Sequence, residues 1–335
     1  MTLGTFNVGL RGFFKYESVN PDSGRRTLLL DWHENAILDT GRNIMATSSG
    51  WAGSGSKCQV GTDSTAANAS QTQLLGYVFG TALQFERTWG AQSSAPYYSW
   101  DRTTYRFNIG EAGGNNINEA GIGWNISAGP YLISRSRTVD GNGDPVTVTP
   151  LIDEYLDVTY ELRYYPPLVD SIGTISLDGV VYDTVTRAAN VTSWGYPIGP
   201  YGAGRAFGKY SISTADWRVF AGVYNAGLDP ATGMVIGYLG AITGEPSGLV
   251  ANCDNITQFN EAYSNNSYQI AFGSNCGLTG WNVSGGRFRA IRFKTTIGDF
   301  QTSFTAQGSG LGVPKTSAYQ MQLIWTLGWT AAVIA

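Results

Sequence analysis

The chain has 335 residues, of which 14% are charged, 13% are aromatic and 44 are glycine. Because an average soluble domain is about 25% charged, this composition excludes a protein dominated by solvated helices and favours short strands joined by turns. The formal net charge is −4, so the charge of the whole molecule gives no attraction to nucleic acid or to anionic lipid. No run of about 18 apolar residues predicts a membrane-spanning helix.

The first thirty residues predict a β-hairpin. Apolar runs over residues 6–14 and 27–30 flank residues 20–24, where asparagine, proline, aspartate, serine and glycine follow one another. Each of these residue types favours a turn.

The best helix candidate covers residues 34–45. Asp31 precedes Glu34 by three residues, which approximates a capping box, although Gly41 would weaken the helix interior by about 1 kcal/mol. His33 is the only histidine and would lie at the start of this helix, in a capping or packing role. With His33 in such a role, the sequence offers no histidine for a catalytic triad or for a histidine-rich metal site.

The middle of the chain predicts several strands, at residues 58–61, 97–108, 117–126, 131–138 and 145–149. Residues 62–71 are typical of a polar loop. The acidic turn at residues 140–144 has two carboxylates and no acidic residue at the twelfth position of a calcium loop, so we expect a plain hairpin turn.

The longest strand is expected within residues 149–167, where apolar and polar side chains alternate at period two. One face would carry Leu156, Val158, Tyr160, Leu162 and Tyr164, and the other Asp157, Thr159, Glu161 and Arg163. This pattern predicts a half-buried antiparallel strand with its charged face in solvent. Pro166 and Pro167 would end it, since neither can donate to a ladder.

The second half predicts shorter strands and one irregular segment. Strands are expected within residues 169–185, with a break at Asp178–Gly179, and over 217–223, 234–242 and 319–328. Residues 194–208 combine glycine, proline and aromatics and predict a structured loop, whose glycine spacing does not match a dinucleotide-binding motif.

These elements predict an all-β fold of antiparallel β-sandwich domains with one short helix near the N-terminus. We expect two domains, residues 1–167 with the helix and residues 168–335, because the length suits two units of about 150 residues. A faint resemblance between residues 105–164 and 291–329 fits a duplication, and it fits a recurrent hairpin style equally well.

The three cysteines, Cys58, Cys253 and Cys276, are an odd number without metal-binding spacing. We expect free thiols from a reducing cytoplasm, with a Cys253–Cys276 disulfide as the alternative. The first residues lack the charged and apolar regions of a secretory signal, so none is expected.

Paired carboxylates are the remaining catalytic possibility, since a glycosidase needs two acids about 5–10 Å apart. Asp153, Glu154 and Asp157 are the best set, with Glu161 further along the strand. Because sheet surfaces carry such rows routinely, we assign no catalytic residue, no metal ligand and no cofactor. The basic segment 287–294 divides its cations between two strand faces, which argues against a nucleic-acid platform.

Four segments of the first half occur in a recognisable order. They are DWHENAILDTGRN at 31–43, CQVGTDSTAANASQTQL at 58–74, NINEAGIGW at 116–124 and LIDEYLDVTYELRYYPP at 151–167. They resemble virion proteins of tailed bacteriophages, of the kind labelled tail fibre or tail-tip (baseplate) proteins. The ending KTSAYQMQLIWTLGW, at 315–329, is similar to the family's final strand.

The resemblance implies a structural, non-enzymatic virion protein of the tail, made in the cytoplasm of the bacterial host. Its partners would be other phage tail proteins and copies of itself, with a trimer favoured, and a host-surface glycan or protein as receptor. No nucleic acid and no membrane span are expected. The resemblance also implies that Asp157 pairs with Arg163 across the exposed face of the long strand.

Aromatic residues are the expected binding residues, because rigid aromatic anchors dominate docking surfaces. We predict intersubunit or receptor contact by Trp194, Tyr196, Tyr201, Arg205 and Phe207 in the irregular loop, with Tyr97, Tyr98 and Trp100 before the central strands. Two alternatives remain: a carbohydrate-binding module or polysaccharide depolymerase that uses these platforms, and a capsid decoration protein.

Overall fold

The computed structural model describes residues 2–45, 57–92, 94–189, 235–238, 249–251, 256–260, 262–278, 287–295 and 298–331. In these residues the chain is an all-β protein whose antiparallel sheets pack as a sandwich, with one short helix. The predicted fold class is confirmed. Within the same residues, no helix has the length and apolar character needed to cross a membrane.

The described elements are β1 (Thr2–Val19), β2 (Arg26–Ile37), α1 (Asp39–Ile44), β3 (Lys57–Gly61), β4 (Tyr77–Thr81), β5 (Gln84–Gln92), β6 (Tyr98–Phe107), β7 (Glu119–Gly123), β8 (Leu132–Arg137), β9 (Tyr155–Tyr165), β10 (Ser171–Leu177), β11 (Val180–Ala188), β12 (Val235–Tyr238), β13 (Leu249–Ala251), β14 (Ile256–Asn260), β15 (Gln269–Cys276), β16 (Arg287–Phe288), β17 (Ala290–Thr295), β18 (Gly298–Ala306), β19 (Val313–Pro314) and β20 (Met321–Ala331).

These strands form three sheets. The large sheet has twelve strands, of which nine follow the order β14-β15-β20-β1-β2-β8-β7-β3-β4, while β9, β6 and β5 branch from β1. A second sheet has the order β10-β11-β18-β17-β12-β13, and β16 pairs with β19. Among the described strands, all pairings are antiparallel except that between β1 and β20, which is parallel.

Strand β1 joins the parts of the large sheet. One edge of β1 pairs with β9 from Gly9 to Val19. The other edge pairs first with β20, up to Leu10, and then with β2, from Gly12 onward. One long strand thus fixes three neighbours, two of which come from distant parts of the chain.

The two sheets meet through a shared apolar core. The Phe6 ring of β1 lies 4.1 Å from the Phe300 ring of β18, centroid to centroid. Trp325 of β20, which is fully buried, donates its Nε1 proton to Thr302 Oγ1 of β18 at 3.0 Å. Burying an aromatic side chain of this kind contributes about 2 kcal/mol, and the indole proton keeps a partner in the core.

The predicted division at residue 167 does not coincide with a division between sheets. Strands β15 and β20, from the second half, hydrogen-bond in the same sheet as β1 and β9. Whether residues 1–167 and 168–335 fold independently stays a prediction. The strand pairing does not show the duplication. In the first half β6 pairs directly with β9, whereas β17 and β20, the corresponding strands of the second half, belong to different sheets.

The turn predictions are confirmed. Asn20 Oδ1 accepts hydrogen bonds from the backbone of Asp22 and Ser23 in the β1–β2 turn. At the β10–β11 turn, Asp178 and Gly179 have φ angles of 48° and 77°. Positive φ at both central residues is the requirement of a two-residue hairpin turn whose twist matches that of its strands.

The predicted helix over residues 34–45 is wrong in extent. Residues up to Ile37 belong to β2, and α1 contains six residues, with no side-chain cap at Leu38. The approximate capping box does not start a helix at Glu34, because His33 and Glu34 pair with Phe14 and Phe13 of β1 in the antiparallel ladder. Pairing with a long strand outweighs a weak local capping signal.

The prediction of a free thiol is confirmed at Cys58. Cys58 is a buried free thiol, and burial raises its pKa, which makes it unreactive. Cys276 is also buried, whereas Cys253 lies outside the described residues. The predicted strand over 217–223 is outside them too.

The burial of His33 leads us to predict that the stability of the fold depends on pH. It lies in the interior with its ring stacked on Tyr16 at 5.7 Å, and burial lowers its pKa. Since the unfolded chain then binds a proton more readily than the folded one, stability is full above the unfolded pKa, about 6.5, and falls as the pH drops below it. Urea unfolding should therefore show a lower free energy of unfolding at pH 5.5 than at pH 7.5.

His33→Phe is the control, because it keeps a ring beside Tyr16 and removes the titration. We expect this variant to lose most of the change between the two pH values. An unaltered change in His33→Phe would contradict the assignment to His33.

Candidate functional site

Strand β9 is buried on both of its faces. The inward residues are buried as predicted, from Leu156 to Tyr164. The predicted solvent exposure of the other face is wrong, since Asp157 is 0% and Glu161 is 1% exposed. The charged residues are covered because arginines from neighbouring strands lie over them.

We call the outward side of β1, β9 and β6, with the side chains that β2, β5 and Tyr155 add to it, the arginine–aromatic face. Its charged and aromatic residues are Arg11, Phe13, Lys15, Glu17, Arg26, Trp32, Glu34, Phe85, Glu86, Tyr98, Trp100, Arg102, Arg106, Tyr155, Asp157, Glu161 and Arg163. The strand register places opposite charges side by side: Arg106 is opposite Asp157, and Arg102 is opposite Glu161. Directly opposite side chains on one face of a sheet are close enough to interact.

Asp157 is the centre of the first ion-pair group. Both of its oxygens accept hydrogen bonds from Arg106, at 2.7 and 2.8 Å, and Arg26 approaches to 2.8 Å. Arg26 and Lys15 each also lie 3.1 Å from Glu17. Burial tends to raise the pKa of Glu17, but the hydrogen bonds from Arg26 and Lys15 outweigh it and the pKa is lowered.

Glu161 is the centre of the second group. Its Oε2 accepts from Arg102 Nε at 2.8 Å, and its Oε1 accepts from Arg163 Nε at 2.5 Å. The implied partner of Arg163 is therefore corrected: it pairs with Glu161 on its own strand, and Asp157 pairs with Arg106 and Arg26.

Each of the three central arginines contacts two aromatic rings. Distances are measured from the guanidinium carbon to the ring centroid. Arg102 lies 4.9 Å from Trp32 and 4.6 Å from Trp100, and Arg106 lies 3.5 Å from Phe85 and 4.9 Å from Tyr155. Arg163 lies 4.0 Å from Phe13 and 4.6 Å from Tyr98. Each cation–π contact contributes about 0.5–1 kcal/mol at a partly exposed site. The guanidinium planes are fixed rather than free to rotate.

The structure brings together two of the predicted binding residues. Tyr98 and Trp100 lie on the arginine–aromatic face, and Tyr97 immediately precedes β6. The other five, Trp194, Tyr196, Tyr201, Arg205 and Phe207, lie outside the described residues.

The predicted row of carboxylates does not make a catalytic pair. Asp157 and Glu161 share a face, but four residues of strand separate them by about 13 Å. All four of their oxygens accept hydrogen bonds or ion pairs from arginine. Asp153 and Glu154 precede β9 and are not on the strand. The arrangement favours a structural role for these acids.

A further buried ion pair, which the sequence analysis did not predict, holds the polar loop 62–76. Glu119 and Arg135 are both 0% exposed and lie 2.7 Å apart. Glu119 also accepts from the backbone N–H of Gly76 at 2.6 Å, and Arg135 donates to Gln71 Oε1 at 2.8 Å. The glutamate of the NINEAGIGW segment thus ties the loop of the preceding segment to the sheet.

Helix α1 holds the loop before β15 in the same way. Asn43 Oδ1 accepts from Tyr263 Oη at 2.7 Å and from the Asn266 backbone at 2.8 Å, and Asp39 accepts from Tyr268 Oη at 2.8 Å. Asn266 and Tyr268 have positive φ, at 63° and 49°. These contacts join residues more than 200 positions apart, and no local signal in the sequence marks them.

No group of His, Cys, Asp and Glu side chains suited to a metal ion occurs among the residues described. Comparison of the chain with protein-family models, with curated proteins and with solved structures finds no match.

Asp157→Asn tests the structural role of the acid. The change leaves Arg106 without a charged partner on a covered surface and leaves Arg26 with Glu17 alone, so we expect the free energy of unfolding to fall by about 3 kcal/mol. Asp153→Asn, at an exposed position before the strand, is the matched control and should change it by less than about 0.5 kcal/mol. Urea unfolding of the three proteins measures both, and equal stabilities would refute the role.

Proposed function

We propose that the chain is a structural component of the tail of a tailed bacteriophage, at the tail tip, baseplate or fibre. It assembles there with other tail proteins and with copies of itself, and it contacts the host surface. One observation carries the proposal. The four segments that resemble such proteins form the framework of the large sheet, and they contain the buried acids Asp157, Glu161 and Glu119.

The segments contribute distinct parts of that framework. Segment 31–43 forms the end of β2 and most of α1, and segment 58–74 forms β3 and the polar loop. Segment 116–124 contains β7, and segment 151–167 contains β9. A motif that serves to fix a fold, and not to perform a reaction, suits a building block of a particle.

The surface supports an assembling protein. Several large apolar side chains are exposed, among them Phe85, Leu151, Ile152, Val169 and Ile172. Exposed apolar side chains that cluster are typical of surfaces that other proteins cover. The low charged fraction, 14%, agrees with this.

Carbohydrate binding is the second candidate, and one observation favours it. Trp32 and Trp100 are only half-buried and lie on either side of Arg102 on the arginine–aromatic face. Partly exposed indoles offer the flat apolar surface on which sugar rings stack. The depolymerase alternative has less support, because Asp157 and Glu161 are held in ion pairs.

The location of the protein in an imaged virion tests the proposal. A gold-labelled antibody against the purified chain should mark the tail, in several copies per particle. Antibody absorbed beforehand with the purified protein is the control and should mark nothing. Label on the head would favour a capsid decoration protein, and particles without label would overturn the proposal. Release of reducing ends from host polysaccharide by the purified chain would favour the depolymerase.

A further inference from the structure

The β10–β11 hairpin presents apolar side chains to solvent. Leu168 and Val169, just before β10, are 69% and 84% exposed, and Ile172 on β10 is 79% exposed. Val180 and Val181 at the turn are also exposed. We call residues 168–172, the turn and the outward side of both strands the hairpin surface. Leu168, Val169 and Ile172 lie at the start of β10, and Val180 and Val181 lie at the turn beyond its other end. Exposed apolar side chains at both ends of so short a hairpin call for a partner.

The same surface is acidic. It carries Asp170, Asp178 and Asp183, all exposed, and one cation, Arg187, which is paired with Asp170. Three aspartates against one arginine give it a net charge of −2.

The arginine–aromatic face has the opposite charge. Six cations, Arg11, Lys15, Arg26, Arg102, Arg106 and Arg163, stand against five acids, Glu17, Glu34, Glu86, Asp157 and Glu161, and give a net charge of +1. Since the whole chain carries −4, the remaining residues carry −5. The face is thus a basic area on an acidic molecule.

Groups on this face remain open to a partner. The side chains of Arg26 and Arg102 are 39% and 37% exposed. Arg102 uses Nε and Nη2 for Glu161, and within the described structure its Nη1 donates no hydrogen bond. Leu28, on the same side of β2, and Phe85 are about half exposed, at 53% and 50%.

The two surfaces lie on opposite sides of the sandwich. The inward side of the hairpin carries Ile175 and Tyr182, which are buried in the core. Ser171 and Thr186 approach Gly4 of β1, so that the hairpin packs against the inner side of the large sheet. The arginine–aromatic face is the outer side of that sheet. One molecule cannot bring its own two surfaces together, whereas two copies can.

We propose that copies of this chain associate head to tail, with the hairpin surface of one copy on the arginine–aromatic face of the next. The inference rests on the proposed function, because it names the self-contact of that building block. Opposite charge steers the two surfaces together, and the apolar residues of the hairpin cover Leu28, Phe85 and the partly exposed indoles. Such a contact uses two different patches, so it produces rings if the rotation closes and filaments if it does not.

Sedimentation velocity of the full chain over a range of concentrations tests the contact. The wild type should associate, and rising salt should weaken the association because the two surfaces attract by charge. Val169→Asp with Ile172→Asp alters the hairpin surface, and Leu28→Asp with Phe85→Asp alters the face. Each double variant should associate at least about tenfold more weakly than the wild type.

Mixing the two double variants is the decisive step. Each retains the one surface that the other has lost, so an equimolar mixture should form dimers that contain one copy of each and should grow no further. Tyr319→Asp, at an exposed position on neither surface, is the matched control and should behave as the wild type.

The result that overturns the inference is a wild type that stays monomeric, a pair of variants that associate normally, or a mixture that stays monomeric. If a double variant fails to fold, Asp178→Lys with Asp183→Lys replaces the hairpin variant and should weaken association equally. A chain located in the tail without self-association would refute this inference alone. Self-association of a chain absent from the tail would refute the proposed function alone.

Discussion

The structure depends on the pairing of the β9 carboxylates with arginines from neighbouring strands. An unpaired charge on a covered surface is costly, so Asp157 and Glu161 can occupy β9 only where Arg106 and Arg102 stand opposite them. Because side chains alternate along a strand, a slip of one residue would turn both acids into the apolar core. The ion pairs therefore specify the register of β9 between β1 and β6, and through β1 the position of the rest of the large sheet.

The same pairing determines what this surface can do. Each oxygen of Asp157 and Glu161 accepts a hydrogen bond from an arginine, and both side chains are at most 1% exposed, so neither acid is presented to a partner at the surface. The aromatic rings and the exposed edges of Arg26 and Arg102 remain. A rigid, slightly basic and partly aromatic surface suits recognition, and the acidic hairpin surface on the other side of the sandwich has the complementary character.

Much of the fold could be predicted from local patterns. Period-two alternation located β6, β9 and β20, and turn residues located the hairpins at Asn20 and at Asp178–Gly179. The errors came from partners that lie far away in sequence. The helix prediction failed because His33 pairs with Phe14, and the outward side of β9 was predicted to be exposed because nothing near Asp157 shows that Arg106 will cover it. Only part of the site could be predicted: Tyr98 and Trp100 lie in a segment that is rich in aromatic residues, whereas nothing in the sequence around Trp32 shows that it packs on Arg102.

The central claim is that the two members of each ion pair on the outward side of β9 stabilise the folded sheet jointly, so that the contribution of one depends on the presence of the other. A double-mutant cycle with Arg102→Met, Glu161→Met and the combined variant measures that coupling through urea unfolding. We expect the combined loss of unfolding free energy to be smaller than the sum of the single losses by about 1–3 kcal/mol, because removing Glu161 leaves Arg102 uncompensated and removing Arg102 leaves Glu161 with Arg163 alone. Losses that add to within about 0.5 kcal/mol would contradict the account.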